Sequence, residues 1–500
     1  MDVGENRTRP AALSGGRNSG RRWWTLAVVS AAQLLVVLDG TIVNIALPSA
    51  QQALGMSDGH RQWAITAYAL GFGGLLLVGG RLSGALGHRR AFLVGLVGFA
   101  AASALGGGAV HELVLFGARA LQGVFAAVLA PAGLSLLTTT FTGPGERGRA
   151  FGVFAAVGAA GSAVGLIAGG LLTEYASWRW CLYVNVPVAL LAALGVALVP
   201  RDRVLAAPGR LDVAGALLSL AGFAAVVYAF NRAEPLGWGA TEVLALLGAG
   251  VVLLAAFVAV EVRAAHPLLP MRVLLHRRRA GAFVAITSMF VAMFGFYLFM
   301  SYYTQTVLGY SPVQAGLALI VNALAALAGS TLIAGKLHGR VAPAVLVVPG
   351  LLAAAAGMLV LTRLTADTTH VLAGYLLPAL VLTGLGLGCV MPPTASLATA
   401  GMAGHDVGAA SAAYNAAQQL GAALGTALLN TLAAGATAAH LASDRHALPA
   451  AATVSGYTTA LTVAAAILLV AACLTAALLG GQRARRQQRD KPAPVPSNPL

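Results

Sequence analysis

Long apolar stretches recur along the chain, separated by short polar segments that hold nearly all of its charge. About 20 apolar residues, rising 1.5 Å each, cross a hydrocarbon core of roughly 30 Å. Backbone in lipid must satisfy its own N–H and C=O groups, so each stretch reads as a transmembrane helix. The pattern predicts fourteen spans, at 23–48, 62–82, 91–110, 112–139, 149–172, 180–199, 212–231, 241–262, 281–305, 314–335, 343–363, 371–396, 408–434 and 456–479.

Composition sharpens this. Of 500 residues 58% are hydrophobic and 9% charged, whereas a soluble domain carries about 25% charged residues. The net charge of +15 would suggest nucleic acid in a soluble protein. Here it sits in loops, where it sets topology. With the N-terminus inside, alternating segments place 25 Lys and Arg in the cytoplasm and five outside (Arg61, Arg179, Arg232, Arg363, Arg445), leaving Arg119 within a span. The six tryptophans fall near span ends, the interfacial position that indoles favour. The apolar stretch after the basic segment 1–22 is too long for a signal-peptide core and lacks a cleavage site, so it is expected to stay as the first helix. Both ends are then cytoplasmic. The basic, Pro-rich segment 482–500 is expected to be a disordered tail whose arginines touch anionic lipid.

The chain also repeats. Pro131-x3-Ser135-Leu136 recurs as Pro392-x3-Ser396-Leu397 after 261 residues, and Gly161-x3-Gly165 recurs as Gly421-x3-Gly425 after 260. Gly80-Arg81-Leu82 recurs as Gly335-Lys336-Leu337 after 255. Offsets this close predict two six-helix halves in the same orientation, over 23–199 and 281–479, with two inserted helices over 212–262. Parallel repeats of this kind place a binding site at mid-membrane between the halves.

One acidic residue, Asp39, lies well inside a span. A membrane-embedded carboxylate costs a few kcal/mol or more and usually marks an ion or proton path, although it can also simply brace helices. Arg119 in the fourth span is the embedded base and an obvious counter-charge. The ladder Gly161, Gly165, Gly169, Gly170 suits close helix approach, either as ordinary packing or as a hinge or seal between halves. Gln33, Asn44, Gln122, Tyr302, Gln305, Asn322, Asn415 and Gln419 are candidate substrate contacts or interhelical hydrogen-bond partners. Cys181, Cys389 and Cys473 fall in spans without paired spacing and are expected as packed apolar residues. No metal-ligand pattern is present, and no cofactor is expected.

Several segments are specific in combination. Leu38-Asp39-Gly40-Thr41-Ile42-Val43-Asn44-Ile45-Ala46-Leu47-Pro48, Arg119-Ala120-Leu121-Gln122-Gly123, Ser177-Trp178-Arg179-Trp180 with Asn185-Val186-Pro187, and Leu308-Gly309-Tyr310-Ser311-Pro312 resemble signatures of the major facilitator superfamily. The branch they resemble is that of the fourteen-helix drug:proton antiporters, and the resemblance runs from about residue 24 to 480. It implies an all-α integral membrane fold of two six-helix bundles plus two linker helices. It further implies alternating access, with Asp39 and Arg119 coupling to protons and Gly80, Gly87, Arg89 and Arg90 at a cytoplasmic gate. Two departures stand out: Gly84 occupies the place of the gate's usual acid, and Leu166 replaces the proline that normally follows the ladder's second glycine.

The expected function is proton-driven efflux of drug-like or antibiotic molecules, lipophilic and in part cationic, across the cell membrane. The expected partners are substrate, protons and lipid, with no nucleic acid, and the working unit is expected to be a monomer. An uptake symporter or facilitator of the same fold is the alternative. A membrane-embedded lipid-modifying enzyme would need several polar catalytic groups gathered at one interface, and the chain offers one buried acid with no His or Cys cluster. Richness in Ala, Gly and Arg points to a GC-rich bacterial genome.

Overall fold

A computed structural model describes residues 15–141, 144–199, 212–264, 276–337, 340–364, 370–399, 404–443 and 448–479, and all regular structure among them is helical. The first half comprises α1 (Gly15–Leu54), α2 (Trp63–Leu86), α3 (His88–Gly107), α4 (Glu112–Thr140), α5 (Pro144–Tyr175) and α6, which runs as Trp180–Tyr183 and Asn185–Gly195 with a break at Val184. Next come α7 (Val213–Leu236) and α8 (Thr241–Arg263). The second half holds α9 (Arg277–Tyr302), α10 (Pro312–Ala328), α11 (Ala344–Leu361), α12 (Leu377–Thr399), α13 (Gly404–Ser443) and α14 (Pro449–Leu479). The segments 1–14 and 482–500 of the expected tails lie outside the described residues.

Each expected span is helical. Among the described residues eleven helices are long and apolar enough to cross a membrane, or twelve when Asp58–Leu76 and Val78–Leu86, bent by 57°, count as one broken span. Within the other two, α5 and α7, the described residues include the apolar stretches Ala163–Tyr175 and Ala214–Phe230.

The helices also overrun their expected ends, most of all α1 and α13 (both 40 residues), because helical hydrogen bonding continues past the apolar stretch wherever no breaker intervenes. Breaks occur where the chemistry changes. Gly87, at φ +85°, ends α2 in a conformation that a side chain would strain. Ser311 and Gln314 form a reciprocal capping box, with Pro312 at the first helical position, and so start α10. Pro48, Pro131, Pro392 and Pro393 remain inside helices.

Packing divides the helices into two groups. In the first, α2 and α3 lie along α4, α1 lies along α5, and α6 bridges α1 and α3. In the second, α10 and α11 lie along α12, and α9 sits between α13 and α14. The groups meet along α2–α13 and α5–α10. α7 packs on α8 and touches α13 and α2, while α8 leaves Val251, Val252, Val258 and Val262 exposed.

Small residues permit the closest seams. A Cβ on Gly79 would collide with the Ala127 carbonyl of α4. Gly161, Gly165 and Gly169 press on Leu34, Thr41 and Ile42 of α1, and Gly421 and Gly425 press on Thr287 and Val291 of α9 in the matching relation of the other half. The ladder therefore seals α5 to α1 within one half. Only Gly170 turns to the other half, against Pro312 and Val313. Cys181 and Cys389 are buried, but Cys473 is exposed on α14, contrary to the expectation of a packed residue. It lies on the outward flank of the bundle with Leu469, Val470 and Leu474, where an apolar surface meets lipid and needs no protein partner.

Gly79→Ala should lower the unfolding temperature of the detergent-purified protein by several degrees, because backbone blocks the new methyl. Gly84→Ala, with nothing within 4 Å of the added carbon, should leave it unchanged.

Candidate functional site

The polar centre of the first half is built on five helices. Asp39 of α1 is 0% exposed and Arg119 of α4 is 1% exposed. Arg119 and Gln122 are three residues apart on α4, so both side chains project from one face. Asp39 Oδ2 accepts from Arg119 Nη1 at 2.6 Å, and Oδ1 accepts from Gln122 Nε2 at 3.0 Å. The break in α6 at Val184 places Asn185 at the start of its second segment, and Asn185 Nδ2 donates to the same Oδ1 at 2.7 Å.

Arg119 is held on three further sides. Its Nε donates to the Ala64 carbonyl of α2 at 2.8 Å, and its Nη1 also donates to Gln122 Oε1 at 2.8 Å. The guanidinium lies 4.5 Å from the centre of the Tyr68 ring, a cation–π contact. Gln122 spends its second N–H on Ser103 Oγ of α3 at 2.7 Å.

Sequence reasoning singled out Asp39, Arg119 and Gln122, and the structure joins them. It adds Asn185, Ser103 and Tyr68. Asn185 appeared only within a family-like motif. A lone amide in an otherwise apolar span was the signal that could have found it.

The second half repeats this layout without charge. Tyr297 follows Asp39 by 258 residues and Thr383 follows Gln122 by 261, matching the repeat offsets. Tyr297 Oη donates to Asn322 Oδ1 at 2.5 Å, and Asn322 Nδ2 donates to the Leu380 carbonyl at 3.0 Å and to Thr383 Oγ1 at 2.8 Å.

The remaining candidates do not gather at one place. Tyr302, Gln305 and Asn44 lie at the end of the bundle that also holds Arg61. There Ser301 Oγ donates to the Asn44 carbonyl at 2.6 Å and Gln305 Nε2 donates to the Ile45 carbonyl at 3.3 Å. Gln33 faces Gly158 of α5, Gln419 faces Gly73 of α2, and Asn415 is exposed.

Arg61, which the charge pattern treats as an ordinary loop residue, is 6% exposed. It bridges the halves: Nε and Nη2 donate to Asn430 Oδ1 at 3.3 and 3.2 Å, Nη1 pairs with Asp58, and the guanidinium stacks 4.1 Å from the Tyr302 ring centre. Asn430 Nδ2 returns a bond to the Asp58 carbonyl, and the Val313 N–H donates to Glu174 at 3.1 Å. This end is therefore latched across both seams.

At the opposite end, Arg89 donates to the Val196 and Ala197 carbonyls and so caps the last turn of α6 within its own half. Arg90 is exposed, Gly80 rests on Pro131, and Gly87 makes the α2–α3 break.

The Major Facilitator Superfamily profile matches residues 29–426. A puromycin resistance protein of Streptomyces alboniger is 58% identical over 89% of this chain and 88% of its own length. A cephamycin export protein of Amycolatopsis lactamdurans is 38% identical over 84% and 87%. A crystal structure of a bacterial homologue of the lysosomal transporter Spinster superposes with a TM-score of 0.63, covering 95% of this chain and 99% of that one at 16% identity, and so shares the fold. The chain belongs to the major facilitator superfamily.

Removing one member of a buried ion pair strands the other and typically costs 3–5 kcal/mol. Asp39→Asn and Arg119→Leu should each destabilise the purified protein by roughly that amount, and the double variant should recover most of the loss when thermal unfolding is measured. Asn430→Ala should lengthen the distance between spin labels placed beyond Arg61 and Thr431, as the latched end opens.

Proposed function

We propose that this member of the superfamily exports drug-like small molecules in exchange for protons, with Asp39 as the proton-carrying group. The observation that carries this is a fully buried carboxylate, deep in a membrane helix, held by one ion pair and two amide hydrogen bonds. The kinship with resistance and export proteins supports the outward direction, and puromycin, named in the most similar of the relatives described above, is the first compound to test. The substrate is a lipophilic molecule, with cationic compounds favoured. The protein works as a monomer in the bacterial cell membrane with both termini in the cytoplasm, without a cofactor or enzymatic step.

Charge bookkeeping carries the cycle. With Asp39 ionised, Arg119 is neutralised and the network is closed. A proton on Asp39 removes that compensation and leaves a buried guanidinium held only by the Ala64 carbonyl, Gln122 and the Tyr68 face, a costly arrangement that favours movement of the helices. The form latched at Arg61 is the one that receives substrate from the cytoplasm or inner leaflet while Asp39 is ionised. Opening of that end releases the substrate and admits a proton from outside, and the return stroke carries the proton inward. With a neutral substrate each proton moved is worth about 2.3 kcal/mol per 100 mV, enough for roughly a 40-fold gradient before any pH contribution, whereas exchange for a monocation moves no net charge and draws on the pH difference alone.

In everted vesicles carrying the wild-type chain, puromycin should release protons from the lumen, and Asp39→Asn should abolish that release. Undiminished release by the variant would refute the coupling role.

A further inference from the structure

Three groups donate to the Asp39 carboxylate, and they differ in their freedom to change. Arg119 can only donate. Gln122 has both N–H groups engaged, on Asp39 and Ser103, and its oxygen engaged by Arg119. It cannot turn over without breaking all three. Asn185 is 0% exposed and has one bond to Asp39, and its Oδ1 is buried without a hydrogen-bond partner. An unpartnered buried amide oxygen is costly and rare. Here it sits on the amide that already touches the carboxylate.

We infer that Asn185 is the coupling residue that reads the protonation state of Asp39 by turning its amide. When Asp39 is ionised, Asn185 Nδ2 donates to Oδ1. When a proton binds Oδ1, the new O–H must find an acceptor, and rotation of the Asn185 amide by half a turn presents its free oxygen. The donor–acceptor polarity of this bond reverses and neither state leaves the carboxyl group unpartnered on that side. Asn185 thus acts through Asp39 as a positioning residue and ties protonation to the broken segment of α6. The inference rests on Asp39 being the proton carrier.

The other groups around the site are placed differently. Arg119 from α4 has no acceptor. Tyr68 from α2 turns its ring face to the guanidinium; its hydroxyl is also buried without a partner, but it makes no hydrogen bond to the Asp39 carboxylate, whereas the Asn185 amide already does. The Cys181 thiol, also on α6, is engaged with Thr173 of α5 and the Gly169 carbonyl. Ser103 from α3 accepts from Gln122.

The test is infrared difference spectroscopy of the purified full-length protein titrated with acid. The carboxylic-acid C=O band of protonated Asp39 is assigned by its loss in Asp39→Asn. In the wild type this band should lie at the frequency of a hydrogen-bonded acid. Asn185→Leu should shift it up to that of a free acid, and Asn185→Ser, which can both donate and accept, should restore it. Asn185→Leu should also lower puromycin-driven proton exchange about tenfold, with Asn185→Ser within threefold of wild type, as the loss of one buried hydrogen bond predicts.

Should Asn185→Leu fail to fold, the wild type still decides. With 13C-labelled asparagine, the side-chain amide band removed by Asn185→Ser should shift as Asp39 is protonated. An unmoved acid band in Asn185→Leu, or an unmoved amide band in the wild type, overturns the role of Asn185 and leaves proton coupling intact. Absence of any titrating acid band assigned to Asp39 overturns the coupling itself.

Discussion

The Asp39–Arg119 ion pair is the constraint around which the first half is organised. Two opposite charges buried among membrane helices are tolerable only while each compensates the other and every remaining donor is occupied. That requirement explains why five helices converge there. α1 supplies the acid, α4 the base and an amide, α3 a hydroxyl, α6 a second amide, and α2 a carbonyl and an aromatic face. The tight glycine seams between α2 and α4 and between α1 and α5 hold the backbones close enough for these short side chains to meet.

Duplication and divergence together account for the asymmetry of the molecule. The second half keeps the geometry of the network but fills it with a phenol, an amide and a hydroxyl. Tyr297, standing at the repeat position of Asp39, keeps a hydrogen-bonding centre there without the cost of an embedded charge. One half therefore carries a buried ion pair where the other carries a neutral hydrogen-bonded centre. The latch at Arg61 gathers polar links between the halves at one end, so that the two seams close together there.

Much of this was legible in the sequence because the physics of a bilayer is severe. Apolar stretches had to be helices, a lone acid and a lone base had to find each other, and the repeat offsets foretold that Gly161 and Gly421 would do equivalent work. What escaped was information that only tertiary contact supplies. Arg61 looked like a surface loop charge because its burial depends on α9 and α13, far away in sequence. The glycine ladder read equally well as a seal between halves, and only the helix rotation shows that it faces α1. The eight polar candidates could not be sorted into network, latch and surface without knowing which face of each helix turns inward.

The central claim is that a single carboxylate, Asp39, exchanges its proton with substrate binding. Proton release by the detergent-purified protein in weak buffer, followed with a pH indicator on addition of puromycin, tests it most directly. The account predicts release of at most one proton per protein molecule, and none from Asp39→Asn. Release of two or more, or release that persists in the variant, would contradict it.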